Sequence, residues 1–386
     1  MRWKGIPVMN TACRFRVASR QGLCAGLFFT LLLTISSAVA NYDSVYFTHK
    51  EWDLVCDNTL TCRVSGYSPD SVTFGVSVLL TRKAGAGTPV DNWVMLSDGL
   101  GDDEVLATRG APQLIIEGRI LGELQQATDR TKIRWRMNAT QYAAFLRALR
   151  RDKPIVFKDK LAEYPLSNAG SSAVLLQMDR VQGRIGTRGA IYKTGTKGDF
   201  NVKAPIAAPV IIKAPVTDQA ARDMTTEELA RFKPPLMKTL IGDDALDCTD
   251  DQLNSDHLPW QIARLNKTQS LVIAPCWMAA YKGSSKFWLV DNLMKRPAQL
   301  IAVGVANDYQ DGAIVWIMRG RSVGDFWSTK SWQWNGKAFV YSAKSWTGRC
   351  RYIRSGGAWD LPMRVSTFKL CAFGKRPTPD AGSYTN

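Results

Sequence analysis

The sequence predicts an α+β protein built from two β-rich units, each with a few helices and held by disulfides, joined by a Pro/Ala-rich linker. Three observations carry this reading. The 386 residues are 45% hydrophobic and 22% charged, which suffices for one large core or two ordinary ones and lies outside the disordered range. Short apolar or alternating runs bounded by Gly, Asn and Asp dominate, with only three stretches of helical pattern. Six of the eight cysteines lie beyond residue 40, an even set for bridging.

Residues 1–40 read as a signal peptide. They carry Arg2, Lys4, Arg14, Arg16 and Arg20 with no acid, then an apolar run from Leu23 to Ile35, then Ser36-Ser37-Ala38-Val39-Ala40 before Asn41. This is the n-, h- and c-region order of a cleaved leader, with Met1 or Met9 as the start, and the apolar run falls short of the ~20 residues that span a bilayer. Cleavage predicts an exported, periplasmic protein without a transmembrane segment. In an oxidising compartment Cys56, Cys62, Cys248, Cys276, Cys350 and Cys371 read as three disulfides, and sequence proximity favours 56–62, 248–276 and 350–371. The six lack the C-x-x-C spacing or nearby His pair of a zinc site, so no metal and no cofactor is expected.

The N-terminal unit is placed at 41–195. Val45-Tyr46-Phe47, Trp52 to Cys56 and Val72 to Leu80 are strand-like. Asn138 and Gln141 form a capping box, Met137 and Tyr142 a staple, and Tyr142, Phe145, Leu146 and Leu149 one apolar stripe, so a helix starts there. A second helix runs from about Gly170 to Gln182, with Gly183 as its stop. Residues 196–219, with Pro205, Pro209 and Pro215 among alanines and lysines, predict a semi-rigid polyproline-like linker. A third helix is capped by Thr225 and Glu228 and opens the C-terminal unit, 220–375, which a short tail, 376–386, follows.

Catalytic signals are sparse. Gly320-Arg321-Ser322-Val323-Gly324 matches the G-x-S-x-G elbow after a strand-like run, Ala313 to Met318, and gives the alternative reading of an envelope-acting hydrolase using Ser322. That mechanism needs a helix next and a later His, whereas the chain's two histidines, His49 and His257, both precede Ser322. The acids Asp243, Asp244, Asp247, Asp250, Asp251 and Asp256 cluster, without the Gly and terminal Glu of a calcium loop. No catalytic residue is assigned.

Binding is better signalled. Nine of the thirteen tryptophans lie between Trp260 and Trp359. Lys330 to Tyr341 predicts a hairpin turning at Asn335-Gly336, with Trp334 opposite Lys337 and Trp332 opposite Phe339. One face then carries Trp332, Trp334, Lys337, Phe339 and Tyr341, either as core or as a stacking platform. The net charge is +16, and from Arg319 to Arg376 twelve lysines and arginines face only two acids. Arg349, Arg351 and Arg354 crowd around Cys350. The candidate binding residues are Trp332, Trp334, Lys337, Arg349, Arg351 and Arg354, for an anionic envelope component or an acidic protein face rather than nucleic acid.

The combination of Trp52-Asp53-Leu54-Val55-Cys56, Thr61-Cys62-Arg63-Val64-Ser65-Gly66-Tyr67, the run from Ser172 to Gly186, Cys276-Trp277-Met278-Ala279-Ala280-Tyr281, Gly324-Asp325 and Trp332-Gln333-Trp334-Asn335-Gly336 resembles the bacterial domain of unknown function 1176 family across nearly the whole chain after residue 40. The Trp52 to Cys62 opening is also similar to invasion-associated locus B proteins, exported β-rich modules. The family pattern has Gly-Asp-Cys where this chain has Gly324-Asp325-Phe326, so Cys371 would stand in as the partner of Cys350. The resemblance implies an exported bacterial protein and no known activity, so it assigns no functional residue.

Overall fold

The computed structural model describes residues 43–97, 109–127, 133–240, 248, 253, 258–279, 282–301 and 308–370. The leader read in 1–40, the aspartate cluster at 243–256 with His257, and Cys371 lie outside them. The described chain is mostly β-sheet, with three α-helices and two disulfides.

The first sheet is antiparallel, in the order β1 (Val45–His49), β2 (Trp52–Cys56), β3 (Cys62–Tyr67), β4 (Val76–Arg82), β5 (Val90–Leu96), β9 (Arg134–Arg136), β8 (Gln125–Ala127). A smaller sheet runs β11 (Glu163–Leu166), β10 (Ile155–Lys158), β6 (Gln113–Ile116), β7 (Arg119–Glu123). Cys56 faces Cys62 across β2 and β3 and is bonded to it. Asp57 organises the intervening turn, accepting from the backbone N–H groups of Thr59 (2.8 Å) and Thr61 (3.2 Å) and from Arg63 (2.8 Å).

The capping boxes read from the sequence are present. Helix α1 (Ala139–Arg150) is capped by Asn138 with Gln141, and its Phe145 and Leu149 enter the core with Met137. Helix α2 (Ser171–Val181) ends before Gly183, whose φ of 71° lies in the left-handed region that glycine tolerates. Trp52, Leu54, Val64, Val78 and Leu80 pack with Phe145, Val174 and Met178 into one core. Gly66 lies directly opposite Trp52, and a Cβ there would meet the indole at 2.5 Å, so only glycine fits under that ring.

Every residue of β2 is buried, so its sheet is covered on both faces. The second cover comes from far along the chain: Ile353, Ala358, Trp359 and Leu361 pack against Val55, Leu79 and Met95. The Trp359 indole donates to Ser77 Oγ (2.7 Å), and Ser97 Oγ donates to the Tyr352 carbonyl (2.8 Å).

Two five-stranded sheets build the rest. One runs β13 (Arg222–Asp223), β14 (Gln261–Arg264), β15 (Gln269–Ala279), β16 (Lys282–Asp291), β17 (Gln299–Leu300); the other follows chain order from β18 (Asp308–Gln310) through β19 (Ala313–Arg319), β20 (Trp327–Trp334) and β21 (Phe339–Trp346) to β22 (Leu361–Arg364). They face each other through Leu271, Ile273, Phe287 and Leu289 on one side and Tyr309, Ile314, Trp332 and Trp334 on the other. Helix α3 (Thr226–Met237), capped by Thr225 and Glu228, covers the opposite face of the first through Phe232 and Leu236, beside the Cys248–Cys276 bridge and the stacked Trp260 and Trp288 rings, 5.7 Å apart.

The segment expected as a polyproline-like linker contains a strand. β12 (Val210–Lys213) pairs in parallel with β23 (Thr367–Leu370). Nearby N–H groups find carbonyls on both sides: Lys203 donates to Gln182 (3.0 Å), Ile206 to Thr59 (3.2 Å) and Ala214 to Trp334 (3.2 Å). Several of its backbone groups thus bond neighbouring elements, whereas an isolated polyproline helix leaves them to water.

Candidate functional site

The aromatic hairpin has a different register from the one the turn signal predicts. Trp334 pairs with Phe339 and Trp332 with Tyr341. The Asn335 side chain accepts from the N–H groups of Lys337 and Ala338 (both 2.9 Å) and closes a longer loop than a two-residue type I′ turn. Lys337 is therefore exposed at the tip instead of opposite Trp334. Trp332 and Trp334 are both buried, so the face carrying them is core. Their rings lie 5.2 Å from Tyr341 and 5.3 Å from Phe339.

The edge of that core is open. Trp332, Ala338, Phe339 and Tyr341 line a cleft of about 240 Å³ with Leu289, Gln299 and Ile301 from the facing sheet. Its wall is aromatic and aliphatic with one amide, which suits a flat or apolar group held by a few polar contacts. Burial raises the Tyr341 phenol, and the Arg364 charge opposes this.

Beside the cleft the same sheet carries a row of cations. Trp316 pairs with Lys330, Lys330 with Lys344, and Lys344 with Arg364, so three positive side chains stand opposite one another on adjacent strands. Like charges opposite one another oppose sheet pairing. Lys330 Nζ lies 4.8 Å from the Trp316 ring centroid, and the Arg364 guanidinium 5.2 Å from that of Tyr341, linking the row to the cleft wall. Burial, with the Lys344 charge second, lowers the Lys330 pKa. Among the described residues neither Lys330 nor Lys344 has an ion-pair partner.

The three arginines around Cys350 are placed elsewhere. Arg349 forms a bidentate pair with Asp53, Nε to Oδ2 at 2.8 Å and Nη2 to Oδ1 at 2.7 Å, and also donates to Thr48. Arg351 bonds Glu51 and Asp70. Arg354 is buried and donates to the Ile133 carbonyl (3.5 Å). All three join the 347–360 loop to the N-terminal sheet. Sequence reasoning missed Lys330, Lys344 and Arg364 because their alignment depends on two register shifts, at Ser331/Trp332 and at Lys344/Ser345.

Ser322 is exposed in the loop joining β19 to β20, with a strand rather than a helix after it. The carboxylate of this loop, Asp325, is held by Arg321 (2.8 Å) and by the Tyr352 N–H (2.8 Å), so it closes the loop. Cys350 makes no bridge among the described residues, and burial raises its thiol pKa, followed by the Asp325 charge. Among the described residues no group of three His, Cys, Asp or Glu side chains could hold a metal ion, and no helix is long and apolar enough to cross a membrane.

Residues 46–366 match the family described as a protein of unknown function, DUF1176. The chain belongs to that family. No curated protein and no solved structure matches it. The matched span takes in both the Arg349–Asp53 joint and the cleft with its cationic row.

Proposed function

We propose that this DUF1176 protein is a non-catalytic binding module of the bacterial envelope, exported to the periplasm after loss of residues 1–40, and that its ligand is an anionic envelope component or an acidic protein face. In this reading 41–195 and 220–375 are two units, 196–219 is the strap between them, and the 347–360 loop docks the second on the first.

One observation carries the proposal: the row of Lys330, Lys344 and Arg364 beside an open aromatic cleft, in which, among the described residues, no cation has a carboxylate partner and Arg364 donates only to the Tyr341 carbonyl (3.0 Å). A sheet that places three cations in register gives up pairing energy, and an anionic partner restores it. The cleft supplies a second, uncharged contact through Trp332, Phe339 and Tyr341. The pairing of Arg349 and Arg351 with Asp53, Glu51 and Asp70 removes most of the charge around Cys350 from the candidate surface and moves the reading to β20–β22.

Binding to lipopolysaccharide, acidic glycans and envelope proteins at two salt concentrations tests this. The Debye length falls from ~10 Å at 0.1 M to ~3 Å at 1 M ionic strength, so the ionic share of binding weakens sharply. A Lys330→Ser/Lys344→Ser/Arg364→Ser variant should lose that salt-sensitive share, and an Arg349→Ser variant should not. Salt-insensitive binding that the triple variant leaves intact would remove the row from the mechanism.

A further inference from the structure

A second cationic site lies in the N-terminal unit, away from the cleft and independent of it. Arg82, at the end of β4, and Arg184, just after α2, are 6% and 0% exposed. Both are anchored by backbone carbonyls. Arg82 donates to Thr88 (3.0 Å) and Gly189, and Arg184 to Gly85 (2.7 Å) and Lys83 (3.3 Å), with further bonds to the Gln182 and Thr88 side chains. Among the described residues neither forms a salt bridge. Burial lowers the Arg82 pKa, and burial with the neighbouring Arg82 charge pushes Arg184 down to about 10.

Hydrogen-bonding capacity is left over at one point. Among the described residues Arg184 Nη1 and Thr187 Oγ1 are buried without a partner, and Thr187 is only 2% exposed. A Cβ built on Gly189 would lie 3.4 Å from Arg82 Nη2, 3.9 Å from Thr187 Oγ1 and 4.0 Å from Arg184 Nη1. Two guanidinium nitrogens and a hydroxyl therefore converge on the space over an unsubstituted Cα. The carboxylate of Asp179 is committed to the N–H groups of Ile191 (2.8 Å), Tyr192 (2.8 Å) and Lys193 (3.2 Å). It and Asp199 act on the two arginines only at a distance. A buried guanidinium with an unmade hydrogen bond is costly, and an anion accepting from both arginines relieves that cost.

We propose that Arg82, Arg184 and Thr187 form a binding site for a small inorganic anion seated over Gly189. With Arg184 and Thr187 0% and 2% exposed, these donors suit a small anion rather than a polymer or a lipid headgroup. The anion would tie the turn after β4 to the 184–197 loop, because its donors come from both.

The test uses thermal melts of the full chain in gluconate buffer at fixed ionic strength, titrated through the millimolar range with chloride in one arm and phosphate in the other. The expected result is a Tm increase that saturates with at least one of them, chloride marking a spherical site and phosphate an oxyanion site. Gly189→Asp, which places a carboxylate in the same space, should melt higher than the wild type in gluconate and lose the response. Gly189→Ala places only a methyl there, at ordinary contact distances, and should raise the half-saturating concentration at least tenfold. Absence of a saturating response to either anion in the wild type would overturn the proposal, as would an unchanged response in Gly189→Ala. Chloride-35 NMR line broadening on the wild type reads binding directly should the aspartate variant fail to fold.

Discussion

Replacing Arg349 with methionine removes the partner of Asp53, a carboxylate in β2 that is 1% exposed. Two charge-assisted hydrogen bonds, at 2.8 and 2.7 Å, are lost together. Breaking a buried pair from one side costs about 3–5 kcal/mol, because the remaining charge keeps its desolvation penalty. The Arg349 side chain retains 18% exposure, so water reaches the pair from its side and the lower end, about 3 kcal/mol, applies. Lysine at this position keeps the charge but not the fork, and should recover only part of the loss. The assay is urea unfolding at neutral pH, with limited proteolysis of the 347–360 loop as a local readout, since the joint can open before the core does. In a cycle with Asp53→Asn, the double variant should be less destabilised than the sum of the singles by at least about 1 kcal/mol. A loss below ~0.5 kcal/mol for Arg349→Met with an equally protected loop, or strict additivity in the cycle, would refute the joint.

Further outcomes follow from the packing and the charges. Gly66→Ala should cost about 1–3 kcal/mol in urea unfolding, because its methyl meets Trp52 at 2.5 Å and that indole is fixed by its bond to the Ser167 carbonyl. Removal of Cys248–Cys276, which closes 28 residues, should cost about 3–4 kcal/mol, against about 2 for Cys56–Cys62, which closes six; serial Cys→Ala pairs compared by denaturation measure this. Lys330 is held below its ordinary value of 10.5, so its charged form costs stability at pH values below the folded pKa, and that cost fades as pH rises through the folded pKa toward 10.5. The urea midpoint of the wild type should therefore climb toward that of Lys330→Met over this alkaline range, whereas a pH-independent gap would show that the lysine is not desolvated. Ser322→Ala should leave serine-probe labelling and ester hydrolysis unchanged, and their loss would restore the hydrolase reading.

The residues themselves determined the local features. Asn138 with Gln141 and Thr225 with Glu228 specify helix starts through contacts three residues apart, and both capping boxes form. Cys56 and Cys62 bridge because a tight turn brings the two strand ends opposite each other, and the family is carried by motifs spread from Trp52 to Gly336. Contacts between distant segments are not written in local spacing. The pattern of β2 cannot name Trp359 and Ile353 as its second cover, nor can the charge run from Arg319 to Arg376 show that Arg349 and Arg351 turn inward onto Asp53, Glu51 and Asp70. The hairpin forms, but its register differs from the expected one for a related reason. Asn335-Gly336 favours a two-residue turn, but the Asn335 side chain closes a wider loop, and with side chains alternating along a strand, register decides which residues face each other. Lys330, Lys344 and Arg364 meet only because two register shifts align them, and Arg82 meets Arg184 only because the residues after α2 bond the end of β4 and the turn that follows it. Both cationic sites are products of tertiary closure, where a residue's neighbours are set by packing and not by its place in the chain.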